Sequence, residues 1–143
     1  VVTPYVQEVQ KLVEKAGERV KFTGYIENQK LYRYYQSADI QVIPSLWEEA
    51  AGLIAIEGML SGLPLIITKS GGMIEYAPSN VAVWIDRDNI IPNLEAAIIQ
   101  LADDKEKRKE MSELSLEQAK EFPKKKFYED YIEVFEHEGT RKR

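Results

Sequence analysis

Two glutamates stand on either side of a run of small residues in the segment PSLWEEAAGLIAIEGMLSGLPLIITKSGG, residues 44–72. Glu49 precedes the small residues, Glu57 follows them, and the segment ends in a Gly-Gly pair. Ionised carboxylates only accept hydrogen bonds, so they suit the paired hydroxyls of a ribose or a hexose. Two such carboxylates can address different parts of one elongated ligand. A sugar nucleotide fits this pattern because it carries both sugars with a diphosphate between them.

The small residues between the two glutamates predict an anion site at the start of a helix. A proline ends the preceding strand, residues 45–51 form a loop, and a helix opens at about residue 52. The first N–H groups of a helix have no partner within it and attract phosphate, and small side chains allow the phosphate to come close. The residues concerned are Ala50, Ala51, Gly52 and Leu53.

Spacing alone leaves a structural interpretation open for each of these features. Glu48 and Glu49 could simply stabilise the helix N-terminus, and Glu57 could be an exposed or capping residue. Gly71 and Gly72 could form a plain turn, or a loop whose backbone passes close to a ligand.

The elements around this segment alternate between strand and helix. Short apolar strands are predicted at residues 20–24, 40–43, 65–67 and 81–85, and helices at residues 5–16, 28–37 and 52–61, with a short helical turn at 72–76. From residue 89 the pattern is helical only, with three amphipathic helices centred on Ile98, Leu114 and Tyr131. This order predicts an α/β, Rossmann-like parallel sheet with helices on both faces, whose ligands bind at the carboxyl ends of the strands.

Composition excludes several other classes of function. The 143 residues suit one domain, and the net charge of −5 gives no general attraction to nucleic acid. The absence of cysteine and the single histidine, His137, argue against thiolate chemistry, a histidine metal cluster and a Ser/His/Asp triad. No apolar run reaches the roughly 18–20 residues that a membrane helix needs. We expect neither a nucleic-acid partner nor a membrane span.

The sequence resembles a known family from about residue 5 to the final helix, and most specifically over residues 44–76. The segment PSLWEEAAGLIAIEGMLSGLPLIITKSGGMIEY is similar to the donor-binding signature of retaining glycosyltransferases with the two-domain GT-B fold, specifically glycosyltransferase family 4. Several elements of that signature occur in order with the right gaps. They are Pro44-Ser45, Glu49, Glu57, Gly62-Leu63-Pro64 and Gly71-Gly72-Met73-Ile74-Glu75.

The resemblance implies a role for each matching residue. Glu57 binds the ribose hydroxyls of the nucleotide, and Glu49 contacts the hydroxyls of the transferred sugar, which makes it the candidate catalytic residue. The backbone of residues 50–53 approaches the sugar and the diphosphate. Tyr25 and Ile26 fall where the family holds the base, although simple packing explains Tyr25 equally well.

The sequence departs from the family pattern at two places within this signature. Ala50-Ala51 replaces the common Pro-Phe, and Gly58 replaces the usual alanine after the second glutamate. Neither change removes a carboxylate or a backbone donor. The Arg and Lys with which the family neutralises the diphosphate belong to a segment upstream of residue 1. We therefore expect residues 1–143 to form one nucleotide-sugar-binding domain that is a fragment, without its first strand region and the amino-terminal acceptor domain.

The resemblance implies the donor-binding domain of a glycosyltransferase that moves a hexose from an NDP-sugar to a glycan or lipid-linked acceptor in polysaccharide or glycoconjugate biosynthesis. No metal cofactor is expected, since positive groups would balance the diphosphate and no Asp-x-Asp motif is present. Sugar nucleotides are cytosolic, which places the parent enzyme in the cytoplasm or at the inner face of a membrane. The fragment alone is expected to be inactive. The alternatives are a nucleotide-sugar binding module without activity and another GT-B enzyme, such as a sugar-nucleotide epimerase.

Overall fold

The computed structural model describes residues 3–48 and 52–122 of the chain, which forms two compact units, Val1–Tyr32 and Arg33–Arg143. The first unit contains helix α1, Pro4–Ala16, followed by the 3-10 turn Gly17–Arg19. Thr3 caps α1, because its side-chain oxygen accepts the Val6 N–H at 3.4 Å and the next residue is a proline at the first helical position. Helix α2, Asn28–Gln36, begins in the first unit and ends in the second.

The strand predicted at residues 20–24 was wrong. This segment has no regular structure. Val20 is 47% exposed and Phe22 is 53% exposed, so the alternating side chains do not line a buried sheet face. Alternation produces a strand only where a neighbouring strand supplies hydrogen bonds, and the described residues of the first unit contain no strand.

The second unit is built on three parallel strands: β1, Gln41–Ile43; β2, Leu65–Thr68; and β3, Ala82–Ile85. β2 lies between the other two, and all four of its residues are buried. The register pairs Val42 with Ile66 and Ile66 with Val83. A central strand with three successive apolar residues matches a parallel sheet that is covered on both faces.

Four helices connect and cover these strands. Helix α3, Leu53–Leu60, joins β1 to β2, and the single turn α4, Met73–Tyr76, joins β2 to β3. Helices α5, Ile90–Asp103, and α6, Lys105–Ala119, follow β3. These elements confirm the predicted helices and strands from residue 28 onward. The helix predicted around residues 127–135 and the surface position predicted for His137 lie outside the described residues.

One face of the sheet packs against α3 and α4. Leu65 and Ile67 point to this side, where they meet Ala55 and Met59 of α3 and Met73 of α4, all of them fully buried. Burial of a side chain of this size contributes roughly 1.5–3 kcal/mol. This packing fixes α3, which carries Glu57, against the central strand.

The other face packs against α5 and the middle of α6. Ile66 of β2 and Ile85 of β3 contact a cluster that includes Ala97, Leu101 and Met111. Alternate residues of β2 therefore serve two separate cores, as the period of two in a strand requires. The α/β, Rossmann-like architecture with helices on both faces is confirmed.

Candidate donor-binding site at the carboxyl edge of the sheet

The three strands are parallel, so the segments that follow them meet at one edge of the sheet. The segment after β1 is tied to the one after β2 by two side-chain hydroxyls. Thr68 donates to the carbonyl of Ser45, and Ser70 donates to the carbonyl of Trp47 at 2.6 Å. Thr68 and Ser70 are both buried, so these hydrogen bonds also satisfy hydroxyls that have little access to water. These two hydrogen bonds thus hold the loop between β1 and α3 against the end of β2.

Glu48 ties the same loop to the segments after β2 and β3. Its carboxylate accepts the backbone N–H of Gly71 at 2.6 Å and a hydrogen bond from the guanidinium of Arg87. Arg87 also donates through Nε to the carbonyl of Lys69 at 3.0 Å, which orients the guanidinium toward Glu48. The hydrogen bond from Arg87, followed by that from Gly71, lowers the pKa of the Glu48 carboxyl. We call Glu48, Gly71 and Arg87 the loop latch.

The latch bears on the prediction for the Gly-Gly pair. Gly71 has a φ of +48°, a conformation that favours glycine, and its N–H is occupied by Glu48. Gly72 has an ordinary helical φ of −66° and caps α4. The structure thus gives Gly71 a role in the turn, and contact of either glycine with a ligand stays a prediction.

Gly52 is the N-cap residue of α3 and has a left-handed backbone conformation. Its φ of +49° disfavours any residue with a Cβ, and an added Cβ would lie 2.5 Å from Cγ of Met73. The helix begins with the hydrogen bond from the Ala55 N–H to the Gly52 carbonyl at 2.8 Å. The N–H groups of Leu53 and Ile54 therefore have no acceptor within the helix. Glu49, Ala50 and Ala51, also predicted for this site, lie outside the described residues.

Glu57 lies in the second turn of α3 with its carboxylate exposed. The hydroxyl of Tyr35, in the last turn of α2, donates to Oε2 of Glu57 at 2.8 Å. Burial of the ring, followed by the hydrogen bond to Glu57 and its negative charge, raises the pKa of Tyr35 to about 12. Within the described part of the chain, Oε1 of Glu57 receives no hydrogen bond, so this atom is open to a ligand donor.

Gly58, the glycine in place of the family's usual alanine, is explained by Gln41. A Cβ built on Gly58 overlaps Oε1 of Gln41 and would lie 2.9 Å from Cδ2 of Leu65. The Gln41 amide donates through Nε2 to the carbonyl of Ile54 at 3.1 Å, while its Oε1 is buried and has no partner among the described residues. The side chain of Gln41 thus fills the space that a methyl group at position 58 would need.

The structure brings some of the predicted residues together. Gly52, Leu53 and Glu57 share α3, and the latch joins the preceding loop to the Gly-Gly turn. Tyr25 and Ile26 belong to the first unit, in the irregular segment before α2, and Tyr25 is 90% exposed. Their contact with the base stays a prediction.

Sequence reasoning assigned no site role to three side chains: Tyr35, Gln41 and Arg87. For Tyr35 the sequence predicts only a place in the helix at residues 28–37, although a tyrosine combines an apolar ring with a hydroxyl that needs a partner when it is partly buried. That hydroxyl was the available signal. Nothing in the local pattern around Gln41 or Arg87 indicated their partners.

The fold is an α/β, Rossmann-like domain whose candidate site lies at the carboxyl edge of its sheet, and comparison with known proteins gives the family. Residues 3–118 match the family described as glycosyl transferases group 1, so the chain belongs to that family. The match covers more than half of the chain and includes the loop after β1, helix α3 and the turn after β2.

Individual relatives agree with this membership. The D-inositol 3-phosphate glycosyltransferase of Corynebacterium glutamicum (strain R) is 34% identical over 115 residues, which cover 78% of this chain and 27% of that protein. The sulfoquinovosyl transferase SQD2 of Arabidopsis thaliana is 35% identical over 77 residues, covering 54% of this chain and 14% of that protein. The solved sucrose-phosphate synthase from Thermosynechococcus elongatus superimposes with a TM-score of 0.79 at 26% identity, covering 93% of this chain and 35% of that chain.

These comparisons confirm the predicted GT-B glycosyltransferase domain. The chain spans little more than a third, at most, of the three proteins described above. Across residues 3–48 and 52–122, no helix combines the length and the apolar character needed to cross a bilayer. The same residues contain no cluster of three or more side chains able to hold a metal ion.

Proposed function

We propose that this chain is the donor-binding part of a retaining glycosyltransferase that transfers a hexose from a nucleoside diphosphate sugar to a glycan or lipid-linked acceptor. The observation that carries the proposal is the pairing, on α3, of an exposed and half-satisfied carboxylate with an open helix N-terminus. Oε1 of Glu57 offers an acceptor to the ribose hydroxyls, and the N–H groups of Leu53 and Ile54 offer donors to the diphosphate. Membership in the glycosyltransferase family supports the same assignment.

The distance along α3 suits the ligand. Glu57 follows the first helical residue by one turn, which is a rise of about 5–6 Å along the axis. A ribose held at Glu57 and a phosphate held at the start of α3 would therefore be neighbours on one molecule. In this arrangement Glu49, which precedes the helix, would contact the transferred sugar, as the family resemblance implies.

The chemistry follows from charge development at the anomeric carbon. As the bond between that carbon and the diphosphate breaks, positive charge builds on the sugar ring and negative charge on the leaving phosphate. The N–H groups at the start of α3 are aimed at the phosphate and would stabilise that charge. The acceptor hydroxyl would attack from the same face that the diphosphate leaves. A covalent intermediate on Glu49 is the second route to the same retained stereochemistry.

Isothermal titration calorimetry tests the proposal. The chain is titrated with UDP, GDP and ADP and with their glucose conjugates, and each titration is repeated with Glu57→Ala. We expect one base series to bind saturably and Glu57→Ala to weaken it by at least about tenfold. Glu95→Ala, which removes an exposed carboxylate on α5, is the matched control and should leave affinity unchanged. Lack of saturable binding of all six ligands at millimolar concentration would overturn the proposal for this chain.

A further inference from the structure

We propose that Tyr35 is a positioning residue that holds the Glu57 carboxylate for the two hydroxyls of a ribose and so selects ribonucleoside diphosphates. This inference rests on the proposed function, because it assumes that Glu57 faces the nucleotide. It gives a binding role to a side chain that belongs to another helix and lies 22 residues away in sequence. Tyr35 itself does not contact the ligand in this proposal.

The position of the Tyr35 hydroxyl is set by packing. Its ring is partly buried against the core cluster between the sheet and α3, whose members include Ile43 and Met59. A tyrosine has only two side-chain torsions, and packing on the ring restricts both. The hydroxyl therefore reaches Oε2 of Glu57 from a fixed direction, at 2.8 Å.

The position of the Glu57 carboxylate would be variable without this contact. An exposed glutamate loses rotamer entropy when it is held in one conformation. The hydrogen bond from Tyr35 already restricts the Glu57 side chain in the free protein. Less rotamer entropy is therefore lost when the ligand binds, and the affinity is higher. Such preorganisation leaves Oε1 and the second lone pair of Oε2 as acceptors, one for each hydroxyl of a vicinal diol.

The protonation of Tyr35 fits this role. A phenol donates only while it is protonated, and a pKa raised to about 12 keeps the Tyr35 hydroxyl protonated across the range in which enzymes work. The Glu57 carboxylate therefore has a constant donor. A hydrogen bond that only joined α2 to α3 would have the same geometry. The experiment must therefore distinguish a structural role of Tyr35 from a role in positioning Glu57 for the ligand.

The experiment compares nucleotides with and without the diol. The wild-type chain, Tyr35→Phe, Glu57→Ala and the double variant are titrated with UDP, GDP and ADP and with the 2′,3′-dideoxy form of each. We expect Tyr35→Phe to weaken binding of the preferred ribonucleotide by about threefold to tenfold and binding of its dideoxy form by less than twofold. In the Glu57→Ala background, Tyr35→Phe should change neither affinity further, because its effect acts through Glu57.

One control variant and two checks of folding accompany the titrations. Tyr34→Phe removes the hydroxyl of a neighbouring tyrosine that is 48% exposed, and it should leave both affinities unchanged. Far-UV circular dichroism and melting temperature verify that each variant folds. An equal loss of affinity for the ribo and the dideoxy ligand leaves their ratio unchanged. That result would show that Tyr35 only supports the structure, and it would overturn the inference. If the wild type binds and depends on Glu57 while Tyr35→Phe has no effect, only this inference fails. If the wild type binds none of the nucleotides, the proposed function fails with it.

Discussion

Glu48 and Glu57 are exposed carboxylates on either side of the start of α3, and they differ in how their oxygens are used. Both oxygens of Glu48 are occupied from within the chain, one by the Gly71 N–H and one by Arg87. Glu57 receives one hydrogen bond, from Tyr35, and keeps one oxygen without a donor among the described residues. Glu48 uses both of its oxygens to stabilise the protein's own loops, whereas Glu57 keeps one oxygen and hence more acceptor capacity for a ligand. Residue type alone does not separate these two roles.

The element that carries each glutamate explains why Glu48 receives two hydrogen bonds and Glu57 receives one. Glu48 lies in a loop where two other strand ends converge, so backbone and side-chain donors are close at hand. Glu57 lies on a helix whose backbone N–H groups are largely used within the helix, so its donor must come from a side chain. The loop provides a latch, and the helix provides an open acceptor.

The largest effect we expect comes from Gly52, which lies between the two glutamates. Gly52→Ala should lower the free energy of unfolding by about 2–4 kcal/mol, because a left-handed backbone conformation and an overlap with Met73 both oppose a Cβ. It should also weaken nucleotide binding, since α3 begins there. Urea denaturation measures the stability of the variant and of the wild type.

A second glycine separates backbone strain from overlap in that experiment. Gly62 also has a positive φ, +71°, but a Cβ there would come no nearer than 3.3 Å to Leu116 and Ser112. Gly62→Ala should therefore cost about 1–2 kcal/mol, mainly from the backbone. Equal losses at the two positions would contradict the assigned close approach of Gly52 to Met73.

The comparison of the glutamates is tested most directly by removing each in turn. Glu48→Ala should speed amide hydrogen exchange at Gly71 by about threefold to tenfold, because the N–H loses its acceptor, while Glu57→Ala should leave that exchange unchanged. For nucleotide affinity, Glu57→Ala should have the larger effect. Exchange measured by NMR and affinity measured by calorimetry provide the two values. Identical profiles for the two variants would remove the distinction between latch and open acceptor.

The sequence predicted the architecture well because strand and helix periodicities are local. The alternating elements from residue 28 to α6 and the two-sided burial of β2 both follow from patterns a few residues long. The strand predicted at residues 20–24 was wrong because pairing with a neighbour cannot be read from alternation.

The site was predictable only in part. Glu57 and Gly52 stand out because their motif is contiguous in sequence. Tyr35 and Arg87 do not, since their glutamate partners are 22 and 39 residues away and are brought to them by the fold. The same reason hid Gln41, whose contact with Gly58 depends on how α3 lies on β1.

Gln41 and Gly58 allow a sharper test of how the helix that carries Glu57 is positioned. Gly58→Ala alone should cost about 1–2 kcal/mol, because displacement of Gln41 and loss of its hydrogen bond to Ile54 outweigh a gain of about 1 kcal/mol in helix propensity. Combined with Gln41→Val, the same alanine should cost less than it does alone and leave stability within about 1 kcal/mol of the wild type, since the overlap with Gln41 and the unpartnered buried oxygen disappear and only the close approach to Leu65 remains. Denaturation of the two single variants and the double variant measures the coupling. Additive effects would show that the two residues do not share the space.

The smallest effects concern pH, where the contribution of Glu48 and that of the Tyr35 hydroxyl should be lost at opposite ends of the scale. The pKa of Glu48 is lowered from its ordinary value of 4.5 in the folded protein, so its contribution to stability is present above pH 4.5 and is lost as the pH falls through the folded pKa. The pKa of Tyr35 is raised from 10.0 to about 12, so the Tyr35–Glu57 contribution is present below pH 10 and is lost as the pH rises toward 12. Melting temperatures measured against pH should thus show Glu48→Ala converging with the wild type in acid, and Tyr35→Phe converging with it between pH 10 and 12. A gap between wild type and Tyr35→Phe that stayed constant from pH 9 to pH 12 would show that the hydroxyl makes no specific bond to Glu57 in solution.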